Sequence, residues 1–164
     1  MSSALNKSPL SGTEVLPKGI HAQIGIVVSK WNSEITDKLL AGAIQTLTEK
    51  GISEDCIKVE FVPGSFEIPL AAQWLIETYG CDSVICLGCV IQGETRHFDF
   101  ICNSVANGIM DLNLKFGIPV IFGVLTTNNM HQAIDRSGGK YGNKGIEAAS
   151  TAISMISLKF KCSL

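Results

Sequence analysis

Apolar positions along the chain alternate between two kinds of pattern. IGIVV (24–28) is a short, continuous, β-branched run, as expected of a strand covered on both faces. NSEITDKLLAGAIQTLTEKG (32–51) then changes to helical spacing. Ile35, Leu39, Ala43 and Leu47, with Leu40 and Ile44, mark one face, and Gly51 is placed to end the helix. IKVEFV (57–62) reads as a second strand, and PGSFEIPLAAQWLIETYG as a second helix ending at Gly80. VICLGCVI (84–91) is a third strand, followed by a helix from about Asp99 to Gly117, stopped by Gly117 and Pro119. VIFGVL (120–125) is a fourth strand, and two helices close the chain, a short one near 128–137 and a longer one near 143–160, hinged at SGGKYGN.

Strands that are continuously apolar and alternate with helices predict an α/β fold: a three-layer α/β/α sandwich on a mostly parallel four-stranded sheet, flavodoxin-like in topology, with right-handed crossovers. The expected layout is an extended lead over 1–18 and a single domain over 19–164. A chain of this length buries roughly 70% of its unfolded surface as one domain. In open α/β sheets, ligands sit beyond the carboxyl ends of the strands. The loops there begin at SKWNSE (29–34), VPGSFEIP (62–69), QGETRHFD (92–99) and TTNNMH (126–131). Aromatic, carboxylate and imidazole groups concentrate in the first three.

Composition narrows the choice of partner. Hydrophobic residues make up 46% of the chain and charged residues 17%, a sparse charge that points to part of the surface meeting another subunit. A net charge of −2 gives no electrostatic footprint for nucleic acid. No apolar run approaches the ~18 residues of a membrane span. MSSALNKSPLSG lacks the apolar core of a signal peptide, so a cytoplasmic protein is expected, with its six cysteines reduced. Cys81, Cys86, Cys89 and Cys102 reproduce a plant-type ferredoxin spacing. Cys86 and Cys89 lie within one strand, however, and their odd separation sends them to opposite faces, which suits buried small residues and not cluster ligands.

His97, at the end of the third strand, is the candidate for proton transfer, since imidazole titrates near neutrality. His21 precedes the first strand at its other end, and His131 lies early in a helix; both read as structural or solvated. Trp31 is either a packing residue, with Asn32 or Ser33 capping the next helix, or a platform for a planar heterocycle. Glu67 is either a helix-start carboxylate or an acceptor for substrate hydroxyls. Gly93-Glu94-Thr95 offers backbone N–H groups and a hydroxyl that can cradle an oxyanion. Arg136, Lys140 and Lys144 fall four apart, but Gly138-Gly139 interrupts the helix between them, so a shared face is not implied.

VPGSFEIP, LGCVIQGETRHFDFICN, PVIFGVLTT and AIDRSGGKYGNKG, in this order, closely resemble the lumazine synthase family of riboflavin biosynthesis, over about residues 20–155. The resemblance implies a condensation of 5-amino-6-(D-ribitylamino)uracil with 3,4-dihydroxy-2-butanone 4-phosphate to 6,7-dimethyl-8-ribityllumazine, with loss of phosphate and water. It implies no metal and no organic cofactor. Matched residue by residue, it makes His97 the proton-transferring histidine and Trp31, beside Asn32, the ring-stacking aromatic. Ser65, Phe66 and Glu67 match the segment holding the ribityl chain, and Cys89, Val90 and Ile91 the strand end that reads the pyrimidinedione. Glu94 and Thr95 match the phosphate-holding turn, Arg136 the phosphate-pairing arginine, Lys144 a site lysine, and Phe122 a main-chain and ring contact.

In that family Phe122, Arg136 and Lys144 come from the adjacent subunit, so the resemblance implies a homopentamer with sites between neighbours. Some members assemble pentamers into a sixty-subunit icosahedral shell, which can be associated with riboflavin synthase, and the short SGGKYGN hinge resembles theirs. Trp31 departs from the commoner Phe or Tyr, and the larger π-face leaves selectivity toward riboflavin open. Other functions fit less well. A flavodoxin-like electron carrier needs a glycine- and hydroxyl-rich loop after the first strand, and SKWNSE has no glycine. A phosphoacceptor domain needs an acidic pair after the first strand and an aspartate after the third, and Ser29-Lys30 and Gly93-Glu94 supply neither. A catalytically weak flavin-binding or shell-forming protein of the same fold is the remaining alternative; the presence of His97 and Arg136 argues against it.

Overall fold

A computed structural model describes residues 21–162; the expected lead over 1–18 lies outside the described residues. The elements in chain order are β1 (Ile24–Ser29), α1 (Ser33–Glu49), β2 (Ile57–Val62), α2 (Ile68–Tyr79), β3 (Ser83–Ile91), α3 (His97–Phe116), β4 (Val120–Thr127), α4 (Met130–Ile134), β5 (Ser137–Gly139), β6 (Gly142–Asn143) and α5 (Lys144–Cys162). The main sheet has the order β2-β1-β3-β4, and every pairing in it is parallel. No helix among the described residues is long and apolar enough to cross a membrane.

Side-chain alternation along β1, β3 and β4 splits the core in two. Ile24, Ile26, Val28, Ile85, Leu87, Cys89, Ile121 and Leu125 pack against Ile35, Leu39, Ala43 and Leu47 of α1 and Ala149, Ala152 and Ile153 of α5. Val27, Val84, Cys86, Val120 and Val124 pack on the other side, against Ile68, Ala72 and Leu75 of α2 and Val105, Ile109 and Leu112 of α3. This is the three-layer sandwich, and it explains why the strands read as unbroken apolar runs: both faces are covered. Cys86 and Cys89 indeed fall in opposite layers.

The helices differ from the sequence reading mainly at their ends. Gly80 and Gly117 end α2 and α3 in the left-handed conformation, at φ 59° and 60°, as glycine at these positions predicts. PGSF does not open α2. Ser65–Glu67 form a separate 3₁₀ turn, and α2 follows with Pro69 in its first turn. α3 starts at His97, two residues before the expected Asp99.

The segment near 128–137 is helical only over Met130–Ile134, because the Asn129 side chain accepts from Gln132 N at 3.0 Å and fixes the start there. What read as a hinge is an antiparallel hairpin, β5–β6, whose Gly138 and Gly142 stand at φ 127° and 77°. The hairpin docks on α1 through Asn143, which donates to Lys38 O at 2.8 Å and accepts from Gly145 N at 2.8 Å. A β-carbon on Gly145 would collide with the Leu39 carbonyl, so α5 reaches α1 only through glycine here. We therefore predict that Gly145→Ala lowers stability by about 3 kcal/mol, since backbone must move to admit the methyl group. Urea unfolding at fixed protein concentration measures it; a loss below about 1 kcal/mol would show that the α1–α5 contact yields easily.

Candidate active site

The length of β3 makes the site possible. Its ladder with β1 stops at Val28↔Leu87, whereas its ladder with β4 continues to Ile91↔Thr127. The last turn of strand on the β1 side is thus without a strand partner. Asn32 fills part of that gap, donating from Nδ2 to Cys89 O at 2.9 Å. To do so it adopts φ 59°, ψ 45°, a left-handed conformation that asparagine tolerates well. This corrects the expected cap: Asn32 occupies the N-cap position of α1, but neither its side chain nor another makes a capping bond there. The sharp turn leaves the Trp31 indole 71% exposed, so it is not a packing residue of its own subunit.

The turn after β2 comes down onto β3 because Gly88 has no side chain; a β-carbon there would stand 2.7 Å from Ser65 Oγ. Ser65 is buried, and its hydroxyl has no hydrogen-bond partner. Phe66 projects outward. Glu67 Oε2 accepts from Gly64 N at 3.0 Å, the helix-start role, with its other oxygen uncommitted by that bond. At the start of α3, Thr95 Oγ1 accepts from His97 N at 3.4 Å. Arg96 and Asp99 pair with each other at 3.7 Å on the surface.

These pieces surround a cavity of about 790 Å³. Trp31, Asn32, Ser65, Phe66, Glu67, Cys89, Val90, Ile91, Thr95 and His97 all line it. Glu94 does not, although its neighbours Gly93 and Thr95 do. The sequence reading missed Phe98, Phe100, Ile101 and Ser104, which form the α3 wall. With the helix begun at His97, residues 97, 101 and 104 recur at helical spacing on one face; starting it at 99 hid that stripe.

Phe122, Arg136 and Lys144 lie elsewhere. They line a second cavity of about 760 Å³ along the edge strand β4, with Met110, Glu147 and Thr151, and share no lining residue with the first. Arg136 and Lys144 are neighbours after all, joined by the hairpin and not by a helix face: Lys144 N donates to Arg136 O at 2.9 Å. Arg136 Nη1 donates to Gln132 O at 3.0 Å, and Lys144 Nζ donates to both Glu147 carboxylate oxygens at 2.7 and 2.8 Å. Lys140 is not in the lining. His131 is exposed on α4, 3.4 Å from Asp135, and His21 is exposed ahead of β1.

Cys89 lines the first cavity, and burial pushes its thiol up to about 11. Burial, helped by the charge of Asp82, raises Cys81 to about 11 as well, and burial raises Cys86 further still. Raised values mean fewer thiolates: at pH 8 a thiol titrating near 11 is ionised in about one molecule in a thousand. Burial thus disfavours the thiolate at Cys89 and suits it to a wall residue. Iodoacetamide at pH 8, read by peptide mass spectrometry, should label exposed Cys162 while Cys81, Cys86 and Cys89 stay unlabelled until denaturation. Labelling of Cys89 as fast as Cys162 would show the cavity wall opening to water.

A parallel sheet with an imidazole, a carboxylate and exposed aromatic rings around a cavity at its carboxyl edge has the form of an α/β enzyme site. Comparison with known proteins gives the family. The family model described as 6,7-dimethyl-8-ribityllumazine synthase matches residues 21–159. The chain is 58% identical over 157 residues to the 6,7-dimethyl-8-ribityllumazine synthase of Cytophaga hutchinsonii, covering 95% of this chain and 98% of that one. It is 53% identical over 141 residues to that of Parabacteroides distasonis, covering 86% and 88%, and 52% identical over 146 residues to that of Porphyromonas gingivalis, covering 89% and 91%. The chain belongs to the 6,7-dimethyl-8-ribityllumazine synthase family.

Proposed function

We infer that this enzyme condenses 5-amino-6-(D-ribitylamino)uracil with 3,4-dihydroxy-2-butanone 4-phosphate to 6,7-dimethyl-8-ribityllumazine, releasing phosphate and water. The observation that carries the reading is the family match over nearly the whole chain, joined to a cavity lined by the residue types the reaction needs. The uracil ring stacks on Trp31 and faces the strand end at Cys89, Val90 and Ile91, where β3 has outrun its partner. The ribityl chain runs along Ser65, Phe66 and Glu67. Ser65 Oγ, buried and unpartnered, and the free oxygen of Glu67 supply hydrogen bonds to hydroxyls. Amine attack on the ketone, departure of phosphate, tautomerisation and ring closure each move a proton, and His97 carries them.

Phosphate recognition falls to Thr95 and to Arg136 with Lys144. Glu94 contributes through the backbone of its turn and not through its carboxylate, which is exposed outside the cavity and carries the wrong charge for a phosphate ligand. Because Phe122, Arg136 and Lys144 line a cavity apart from that of His97, we propose that a neighbouring subunit brings them to the site, and that the neighbours close into a homopentamer. The tight β5–β6 hairpin, with no insertion, favours further assembly of pentamers into an icosahedral shell. Six unpaired cysteines favour a reducing, cytoplasmic setting.

Both substrates mixed with the enzyme should yield fluorescent lumazine faster than they do spontaneously; an unchanged rate would sink the reading. His97→Ala should lower kcat by about a hundredfold, the usual size of a lost general acid–base group. Arg136→Ala should raise KM for the phosphate substrate by about tenfold or more, with little change for the uracil. Sites shared between subunits make a further prediction. When His97→Ala and Arg136→Ala chains are co-assembled, about one site in four regains both native halves. Activity no higher than the mean of the two parents would place the whole site within one subunit, and sedimentation separates pentamer from shell.

A further inference from the structure

We propose that Tyr141 is a positioning residue for Arg136, holding its guanidinium by a cation–π contact in the orientation that meets the phosphate of the substrate. The inference rests on the phosphate-pairing role proposed for Arg136 and adds a residue to which neither the family resemblance nor the cavity lining assigns a part.

The guanidinium carbon of Arg136 lies 4.9 Å from the centre of the Tyr141 ring. That is within the range where the negative ring face attracts a cation. Tyr141 is fixed there by the hairpin turn: its N–H donates to Asp135 O at 2.8 Å, and Lys144 N, at the start of α5, closes on Arg136 O at 2.9 Å. Gly139 permits the close fold, since a β-carbon there would stand 2.8 Å from Asp135 Cα. Tyr141 does not line the cavity, whereas Arg136 does, so the ring acts on a ligand only through the arginine.

An arginine side chain alone is long and rotamer-rich, and a single hydrogen bond to Gln132 O leaves it free to pivot. Adding the ring fixes the guanidinium plane as well as one corner. The donors other than the one used on Gln132 are then presented together, which is what bidentate recognition of a phosphate requires. Lys140 Nζ stands 5.4 Å from the same ring, but its absence from the lining leaves Arg136 as the cation this ring serves.

The test compares Tyr141→Leu, Tyr141→Met and Tyr141→Phe in the assembled enzyme, with Tyr141→Leu repeated in an Arg136→Ala background. Loss of the ring should raise KM for 3,4-dihydroxy-2-butanone 4-phosphate about fivefold, with kcat and the uracil KM within about twofold, and Tyr141→Phe should restore it. In the Arg136→Ala background Tyr141→Leu should add less than about twofold, because the two groups act as one unit. Calorimetric titration with inorganic phosphate should weaken by the same factor, and this readout stands even where no lumazine is formed, so it separates this proposal from the assigned reaction. Sedimentation checks assembly, and Tyr141→Met gives the measurement if Tyr141→Leu misassembles. An unchanged KM, a loss in Tyr141→Phe equal to that in Tyr141→Leu, or an undiminished loss without Arg136 would each overturn the proposal.

Discussion

The unequal pairing of β3 is the constraint on which the rest of the site depends. Parallel strands place all four carboxyl ends on one edge of the sheet, and a central strand covered on both faces is held by its ladders and both core layers at once. Where β1 stops and β3 continues, backbone polar groups are left without strand partners, and buried groups of that kind must find others. Asn32 supplies one such partner to Cys89 O, and in bending back to do so it turns Trp31 outward. One mismatch in strand length thereby produces the platform, the polar strand end and the space between them. On the proposed reading a planar heterocycle with amide-like edges completes what Asn32 begins.

Much of this was legible in the sequence, and the reasons are particular. The four strands stand within two residues of their predicted bounds; burial on both faces turns β1 and β3 into unbroken apolar runs, whereas the edge strand β2 keeps Lys58 and Glu60 and is only partly covered. Gly80 and Gly117 marked helix ends because a left-handed terminus needs glycine. The concentration of Trp31, Glu67 and His97 beyond strand ends followed from topology alone. What escaped were features with no period to read. β5 and β6 are too short for alternation, so their glycines looked like a hinge. Asn32 looked like a cap because its bond to Cys89 crosses to a residue far along the chain, and local propensity cannot register such a partner. The α3 wall was hidden by a two-residue error in a helix start. The separateness of Phe122, Arg136 and Lys144 was implied only by the family resemblance; residue spacing gave no sign of it.

On the proposed pentamer, the two cavities would also account for the sparse charge of the chain. Trp31, Phe66 and Phe100 are exposed around the first, and Met110 and Phe122 around the second. On an isolated subunit these rings and side chains would be two apolar patches facing water, each a liability for aggregation. In the proposed pentamer they would be joined between neighbouring subunits, burying that area and at the same time bringing the Arg136–Lys144 pair to the cavity of His97. On that proposal assembly and site formation are a single event driven largely by apolar burial, while the charged groups set orientation and contribute less to affinity. The same proposal gives a reason for Glu147 and Tyr141 to share a chain with the cations they touch. A lysine and an arginine near an apolar contact would be costly to desolvate unpaired, and each instead arrives with a partner from its own chain: a carboxylate for Lys144, a ring and a carbonyl for Arg136. On the proposed reading the phosphate subsite would be organised before the neighbour arrives, and binding the anion would require little further ordering of either side chain.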